Sequence, residues 1–313
     1  MIEVESLVKR YRKAKRNAVD GISFRVEAGE FFALLGPNGA GKTTTISILT
    51  TTLAPTGGRA TIDGHDIVKE SARVRRQVGI IFQRPSLDQN LTAEENIRFH
   101  AVLFGLYPYR PLFGLMPADY RRQVQELASL LDLERAIFDP IRTYSGGMRR
   151  KLEIMRSLLH RPKVLFLDEP TAGLDPPSRR TLWDHLRTVR AENGTTIFLT
   201  SHYLEEAEQA DRICIIDDGK VVAEGTPAAL KAELSQENVV VDGADRPALR
   251  VELDGLGLKA LGDGPFTVPV DGRGTHATLK AIQTPLSLVR TESPSLEDAY
   301  LAIVDRAEKA TDE

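Results

Sequence analysis

Gly36-Pro37-Asn38-Gly39-Ala40-Gly41-Lys42-Thr43-Thr44 follows the apolar run Phe31–Leu35 and leads into a helical stretch over residues 44–53. The pattern is strand, glycine-rich turn, helix. A polyphosphate carries several negative charges and needs many donors at once. Glycines let the backbone curl closely, so that successive N–H groups point into one concavity. The helix that starts there adds its positive dipole end and its unpaired N–H groups. Lys42 supplies a mobile cation for the β- and γ-phosphates, and the Thr43 hydroxyl is placed to ligate Mg²⁺. An ordinary glycine-rich strand-to-helix turn is the plainer alternative, but it explains neither the Lys-Thr pair nor both flanks. Residues 36–44 are read as a nucleotide site.

Outward from that site, the 313 residues are enough for about two domains, each with its own core. Hydrophobic residues make up 42% and charged residues 27%, as in an ordinary globular protein. The net charge of −3 gives no basic field for nucleic acid, so no nucleic-acid partner is expected. The single cysteine, Cys214, lies in an apolar run and reads as a buried strand thiol, which suits a reducing compartment. Residues 1–5 lack a basic segment followed by an apolar core, so no signal peptide is expected. No stretch approaches the ~18 consecutive apolar residues of a membrane span. If the protein works at a membrane, another chain must provide the passage.

Residues 2–7 alternate weakly, as an edge strand would, and residues 9–16 hold six cations in eight positions. That basic run reads as a solvated hairpin turn, or alternatively as a contact for anionic lipid or an attractor of nucleotide. Further strands are expected at residues 19–26, 61–66 and 78–82, with a helix at 73–77. From Thr92 to about His160 the pattern turns helical, with Thr92 and Glu95 spaced as a capping box and a second helix at 120–131. Residues 105–117 contain three prolines and two glycines, which exclude a continuous helix, yet are too apolar for a simple solvated loop. This segment either docks a membrane subunit or packs on its own chain. Strands at 163–167 and 195–199, a helix at 176–191 and a hairpin at 213–223 complete a largely parallel sheet covered by helices. Beyond about Leu230 the composition shifts. Strands are expected at 238–241, 249–253, 266–270 and 286–291, with helices at 276–282 and 295–305. Ser293 and Pro294 would cap the last of these helices.

Asp168 and Glu169 end an apolar strand, where one carboxylate can hold Mg²⁺ and the next can polarise an attacking water. Ser145-Gly146-Gly147 opens another helical stretch, a second anion-binding helix end. With the phosphate loop, Gln83, Tyr144 to Met148, the strand at 164–170, Ala172-Gly173-Leu174-Asp175 and His202, the chain resembles the nucleotide-binding subunit of ATP-binding cassette (ABC) transporters. The match spans roughly residues 1–230. The Tyr-Ser-Gly-Gly-Met form and the Ser295-Leu296-Glu297-Asp298-Ala299-Tyr300 ending resemble the drug-efflux, daunorubicin-resistance branch.

The resemblance implies an α/β P-loop NTPase cassette over residues 1–230, with a mostly parallel sheet, an antiparallel β subdomain and a helical subdomain at about 84–160. A small α+β accessory domain follows at 231–313. It implies ATP hydrolysis with ATP and Mg²⁺. Tyr11 would stack on adenine, and Gly36, Pro37, Asn38, Gly39, Ala40, Gly41, Lys42, Thr43 and Thr44 would hold the nucleotide. Thr43, Gln83 and Asp168 would hold the metal. Glu169 would be general base, with Gln83 on the attacking water and His202 on the γ-phosphate. Ser145, Gly146, Gly147 and Asp175 would act in trans, in a homodimer sandwiching two ATP molecules. The motor would drive a separate transmembrane permease at the cytoplasmic face of the membrane, exporting a drug, lipid or other hydrophobic cargo. Import is the nearest alternative. A soluble ATPase of DNA repair or ribosomes would generally need a coiled-coil insertion or a second cassette, and intact Lys42, Asp168, Glu169 and His202 argue against a dead regulatory site. Tyr144 replaces the commoner leucine and Met148 the commoner glutamine. Met148 cannot donate the amide hydrogen bond that glutamine could, whereas the Ser145 and Gly147 contacts should survive.

Overall fold

The chain, in a computed structural model that describes residues 1–82, 86–201, 203–232, 237–270, 274–292 and 295–312, divides into two units, Met1–Glu224 and Gly225–Glu313. The first begins with strands β1 (Ile2–Lys9), β2 (Val19–Val26) and β3 (Phe31–Leu35) and helix α1 (Lys42–Leu49). Strands β4 (Gly57–Ile62) and β5 (His65–Asp66), helix α2 (Ser71–Gln77) and strand β6 (Val78–Ile81) come next. Helices α3 (Ala93–Leu103), α4 (Ala118–Leu130) and α5 (Gly146–Leu158) form the helical region. The chain then returns through β7 (Val164–Asp168), α6 (Pro176–Asn193), β8 (Thr196–Ser201), α7 (Leu204–Ala207), β9 (Arg212–Asp217) and β10 (Lys220–Gly225).

A six-stranded sheet runs in the order β10-β9-β3-β8-β7-β6, and its pairs from β9 to β6 are parallel. Helices α5 and α6 pack on this unit with apolar stripes. Every residue of β3, β7 and β8 is buried, which is why β3, residues 164–167 of β7 and residues 197–199 of β8 read as apolar runs. Phe32 and Phe198 meet at 5.3 Å, Phe166 lies 5.2 Å from Phe198, and Phe24 of β2 stacks on Phe32 at 5.3 Å. This ring cluster joins the parallel sheet to a second, four-stranded sheet, β2-β1-β4-β5. Truncating any one of these rings to alanine would cost about 3–5 kcal/mol.

The N-terminal strand is not at an edge: β1 pairs antiparallel with β2 on one side and β4 on the other. Its alternation looked weak because the register shifts between Val4 and Leu7, where Ser6 takes a φ of 46°. The bulge resets the inward face, so Ile2, Val4 and Leu7 are all buried despite uneven spacing. Helix α1 starts two residues earlier than the apolar pattern indicated, because Gly41 in the left-handed region already serves as its N-cap. It also ends earlier, where the Thr50 and Thr52 hydroxyls bond the Ile46 and Ser47 carbonyls at 2.7 and 2.8 Å.

The capping box expected at Thr92 is present. Glu95 N donates to Thr92 Oγ1 at 3.2 Å, and Thr92 N donates to Glu95 Oε2 at 2.8 Å. Residues 105–117 hold only a short 3-10 turn, Phe113–Leu115. They pack in part on their own unit: Tyr107 and Phe113 meet the buried Tyr120 edge-on, and Arg98 donates to the Arg110 carbonyl at 3.0 Å. Leu112 and Leu115 nevertheless remain 64% and 58% exposed.

The second unit contains α8 (Pro227–Ala232), β11 (Glu237–Gly243), α9 (Arg246–Gly255), β12 (Phe266–Val270), α10 (Thr275–Ala281), β13 (Leu286–Glu292) and α11 (Leu296–Asp312). Its sheet is antiparallel, ordered β12-β11-β13. Residues 249–253, expected as a strand, are helical. Asp245 caps α9 by accepting from Ala248 N at 3.0 Å, with a proline in the first turn. Leu249 and Leu253, four apart, then bury one stripe against β11. Ser293 and Pro294, expected to cap the last helix, lie outside the described residues. Ser295 exchanges hydrogen bonds with Asp298 there, the Asp298 N–H reaching Ser295 Oγ at 3.1 Å.

Candidate nucleotide-binding site

The phosphate loop leaves the C-terminal end of β3, in the middle of the parallel sheet, where ligands of open α/β folds bind. Two of its glycines are required by close approach. A Cβ at Gly36 would lie 2.2 Å from the Ile216 carbonyl oxygen, and one at Gly41 would lie 2.3 Å from that of Ala18. The loop is therefore wedged between β9 and the end of the β1–β2 connection. Gly219 N also donates to the Ala40 carbonyl at 3.2 Å, from the two-residue turn between β9 and β10. Asp218 and Gly219 both have positive φ, as a tight hairpin turn requires.

Lys42 is 6% exposed, and its Nζ donates to the Gly36 and Pro37 carbonyls at 2.6 and 3.0 Å. Those carbonyls hold the ammonium within the loop. Burial lowers its pKa, while the charges of Glu169 and Asp168 raise it. All three groups thus share one electrostatic neighbourhood, although 126 sequence positions separate Lys42 from Asp168. Asp168, 5% exposed, accepts from Thr200 Oγ1 at 2.6 Å. Burial raises its pKa; the Thr200 bond, Lys42 and a hydrogen bond from Thr43 oppose that shift. Thr43 and Asp168 therefore meet. A hydroxyl and a carboxylate are hard oxygen donors and fit Mg²⁺, which characteristically takes one or two protein oxygens and completes its shell with water and substrate phosphate. Among the described residues no cluster of three or more His, Cys, Asp or Glu side chains forms a self-sufficient metal cage.

Glu169 has a φ of 47°, in the left-handed region that a non-glycine residue enters at a cost of about 1–3 kcal/mol. Its N–H donates to the Thr200 carbonyl at 3.0 Å and its carbonyl accepts from Arg150 Nη2 at 3.1 Å, so both sides of the strained residue are held. The turn out of β7 thereby presents a half-buried carboxylate beside Asp168. Tyr11 is 46% exposed at the other side of the loop, its hydroxyl 3.3 Å from Thr44 Oγ1 and Lys9 Nζ 5.7 Å from its ring centre. The cation-rich turn at 9–16 thus opens onto the mouth of the phosphate loop. Asn38 and Gly39 are exposed at the loop's tip, and Ala40 is buried under it.

Ser145 caps α5, its Oγ accepting from Met148 N at 3.2 Å. Ser145 and Gly146 are exposed. Gly147 faces the start of α6, where a Cβ would come within 3.0 Å of Ser178 Oγ. Asp175 caps that helix, Oδ1 accepting from Ser178 Oγ at 2.6 Å. The signature residues and Asp175 therefore share one exposed surface. Among the described residues no hydrogen bond joins Ser145 or Gly147 to the phosphate loop of the same chain. Tyr144, in place of the commoner leucine, is buried and donates to the Ala136 carbonyl at 2.6 Å; burial pushes its pKa up to about 12. Cys214 is a buried strand thiol whose pKa burial also raises. Gln83 and His202 lie outside the described residues.

Several polar residues around the site escaped the sequence reading. Glu206 accepts from the Thr171 hydroxyl and, at 2.7 Å, from Ser201 Oγ, bracing the turn after Glu169 against the end of β8. Arg150, Glu153 and Arg156 form a polar ridge on α5, where Arg150 and Glu153 are buried among Leu152, Ile154, Met155 and Leu158. Their i, i+3, i+6 spacing on a helix rich in buried residues was the available signal.

Residues 19–172 match the family model described as ABC transporter. The Nod factor export ATP-binding protein I of Ralstonia nicotianae is 40% identical over 98% of this chain and 94% of its own length. The daunorubicin/doxorubicin resistance ATP-binding protein DrrA of Streptomyces peucetius is 46% identical over 74% of this chain and 67% of its own. A solved dimeric ATP-binding cassette in a post-hydrolysis state, bound to ADP and Pi, superposes with a TM-score of 0.63 at 27% identity. That match covers 72% of this chain and 98% of the other.

Proposed function

We infer the working of this chain from one premise: it belongs to the ABC transporter family, as an ATP-binding subunit that hydrolyses ATP. It is the motor of a membrane exporter, and among the described residues no helix is long and apolar enough to cross a membrane. The cargo passes, in this reading, through a separate permease, with this chain peripheral at the cytoplasmic face. Two copies close around two ATP molecules. The phosphate loop, residues 36–44, holds the triphosphate with its N–H groups and Lys42, while Tyr11 stacks on adenine. Thr43 and Asp168, with Gln83, would hold Mg²⁺, which when bound would neutralise phosphate charge.

Glu169 orients a water on the γ-phosphorus and accepts its proton as the new P–O bond forms. The bond to the bridging oxygen breaks, and ADP leaves with the electron pair. His202 donates to the γ-phosphate. Ser145, Gly146 and Gly147 of the second copy complete the donor set, and Asp175 lines the contact between copies. The observation that carries this reading is the separation of duties within one chain. A wedged phosphate loop and its acidic pair form one cluster, and an exposed serine-capped helix end forms another with no bond to it. An exposed donor end at one site and an open phosphate loop at another call for a second copy to join them. The exposed Leu103, Tyr109, Leu112 and Leu115 are assigned to the contact with the permease.

Mixed dimers test the reading. Lys42→Ala and Ser145→Arg copies, each inactive alone, are combined. One of the two composite sites then contains an intact loop facing an intact signature end. The expected result is restored nucleotide-dependent pairing with one working site. Mixtures that never pair with nucleotide would refute it.

A further inference from the structure

Arg150 is 5% exposed, and its guanidinium is spent on main-chain carbonyls from two different strand ends. Nε donates to the Pro170 carbonyl at 2.6 Å and Nη2 to that of Glu169 at 3.1 Å. Nη1 donates to the Phe82 carbonyl at 2.6 Å, just past β6, and to Glu153 Oε2 at 2.8 Å. Glu153, 2% exposed, accepts from Ser86 N at 3.0 Å with its other oxygen. One turn further along α5, Arg156 donates to the Ser86 carbonyl and hydroxyl at 2.8 and 2.6 Å. The ridge thus grips the chain on both sides of residues 83–85 and the backbone that carries Glu169.

Burying a charged pair is costly, and well-packed apolar side chains would serve stability as well or better. What apolar groups could not do is bond four acceptors in fixed directions. A guanidinium offers five donors in a rigid fork, whereas lysine offers a single nitrogen. The target is also telling. Glu169 sits in a left-handed backbone conformation that holds only if its surroundings dictate it. Arg150 bonds the carbonyl of that residue and of the next. The same helix begins at Ser145, five residues and about 7.5 Å away along a rigid axis.

We propose that Arg150, aligned by Glu153, is a positioning residue for hydrolysis: it ties the signature end of α5 to the backbone of the general base in the same chain. Engagement of that helix end by the second copy's nucleotide is transmitted, through Arg150, to the aim of Glu169 in the chain's own site. The two sites of a dimer then fire in concert. This rests on the roles given above to Ser145 and Glu169.

The test is a double-mutant cycle on the full chain. Arg150→Gln/Glu153→Gln removes both buried charges together, keeping the volume of Glu153 and shortening residue 150, and Arg150→Lys keeps the charge but not the fork. Binding is read with a fluorescent ATP analogue, and MgATP turnover is read as kcat and KM. Both variants are expected to bind the analogue within about twofold of the parent, with kcat down about 10- to 100-fold, KM nearly unchanged and cooperativity in ATP lost. In a Glu169→Gln background the same changes should lower residual turnover no further, because Arg150 acts through Glu169. An equal fold-loss in both backgrounds identifies a merely structural residue and overturns the proposal, as does parental kcat in Arg150→Lys. If the charge-free pair fails to fold, Arg150→Lys decides by the same criteria. Parental turnover in Glu169→Gln alone would instead overturn the assignment of the general base.

Discussion

Gly41→Ala tests whether the phosphate loop works by the alignment of its backbone. The added Cβ would lie 2.3 Å from the Ala18 carbonyl oxygen, on a backbone with a φ of +105°. Ala18 cannot retreat freely, because its N–H donates to the Lys9 carbonyl at 2.7 Å and the next residue, Val19, opens β2. Residue 41 must move instead, by about 1 Å, to reach an ordinary contact. Thr45 N and Thr45 Oγ1 both bond the Gly41 carbonyl, at 2.8 and 3.0 Å, so the first turn of α1 moves with it. A misplacement of about 1 Å in a site built on alignment costs about 100-fold. Thermal unfolding with and without MgATP reads this. At about 100 Kd of nucleotide the parent gains about 2.7 kcal/mol, whereas a Kd raised about 100-fold leaves ~0.4 kcal/mol. At about 2–4 °C per kcal/mol, the parent should shift by roughly 5–10 °C and the variant by about 1 °C. Gly39→Ala, whose Cβ meets nothing within 4 Å, should lose less. Equal nucleotide-induced shifts in parent and Gly41→Ala would refute the reasoning.

Glu169→Gln should keep ATP binding and lose about 10²- to 10⁴-fold in turnover, the size of a general-base contribution; near-parental phosphate release would show another group takes the proton. Burial, together with the charges of Arg156 and His160, lowers the His100 pKa to about 3. An unfolded histidine titrates near ~6.5, so between about pH 6.5 and 3 the unfolded chain takes up a proton that the folded one refuses, and stability falls as the pH is lowered through that window. His100→Phe keeps a flat ring against Phe104, now 4.2 Å away, and should flatten the stability–pH curve there; an unchanged slope in chemical denaturation would count against it. Leu112→Asp with Leu115→Asp should weaken copurification with the permease by about tenfold or more, at roughly 1.4 kcal/mol per tenfold, while leaving turnover of the isolated chain intact. A complex recovered in full would remove these residues from the docking surface.

The elements of the candidate site were legible in the sequence because they are local. The loop at 36–44, the acidic pair at the end of β7 and the serine cap at 145 each depend on a few adjacent residues with a fixed backbone requirement, so order and spacing announce them. Apolar runs with every residue buried likewise declare β3, β7 and β8. Short-range signals failed where a bulge or a cap changed the period: Ser6 blurred β1, and Asp245 with Pro247 turned 249–253 from an expected strand into a helix.

What only the tertiary structure decided is which distant groups face one another. Nothing in the sequence joins Phe24 to Phe32 and Phe198, or Arg150 to the carbonyls of Phe82, Glu169 and Pro170. The strand order β9-β3-β8-β7-β6 brings them together, and that order comes from the burial of whole faces rather than from any one motif. A main-chain carbonyl is the same group at every residue. Its use as the anchor for a buried guanidinium therefore leaves no trace in residue type and exists only once the chain is packed.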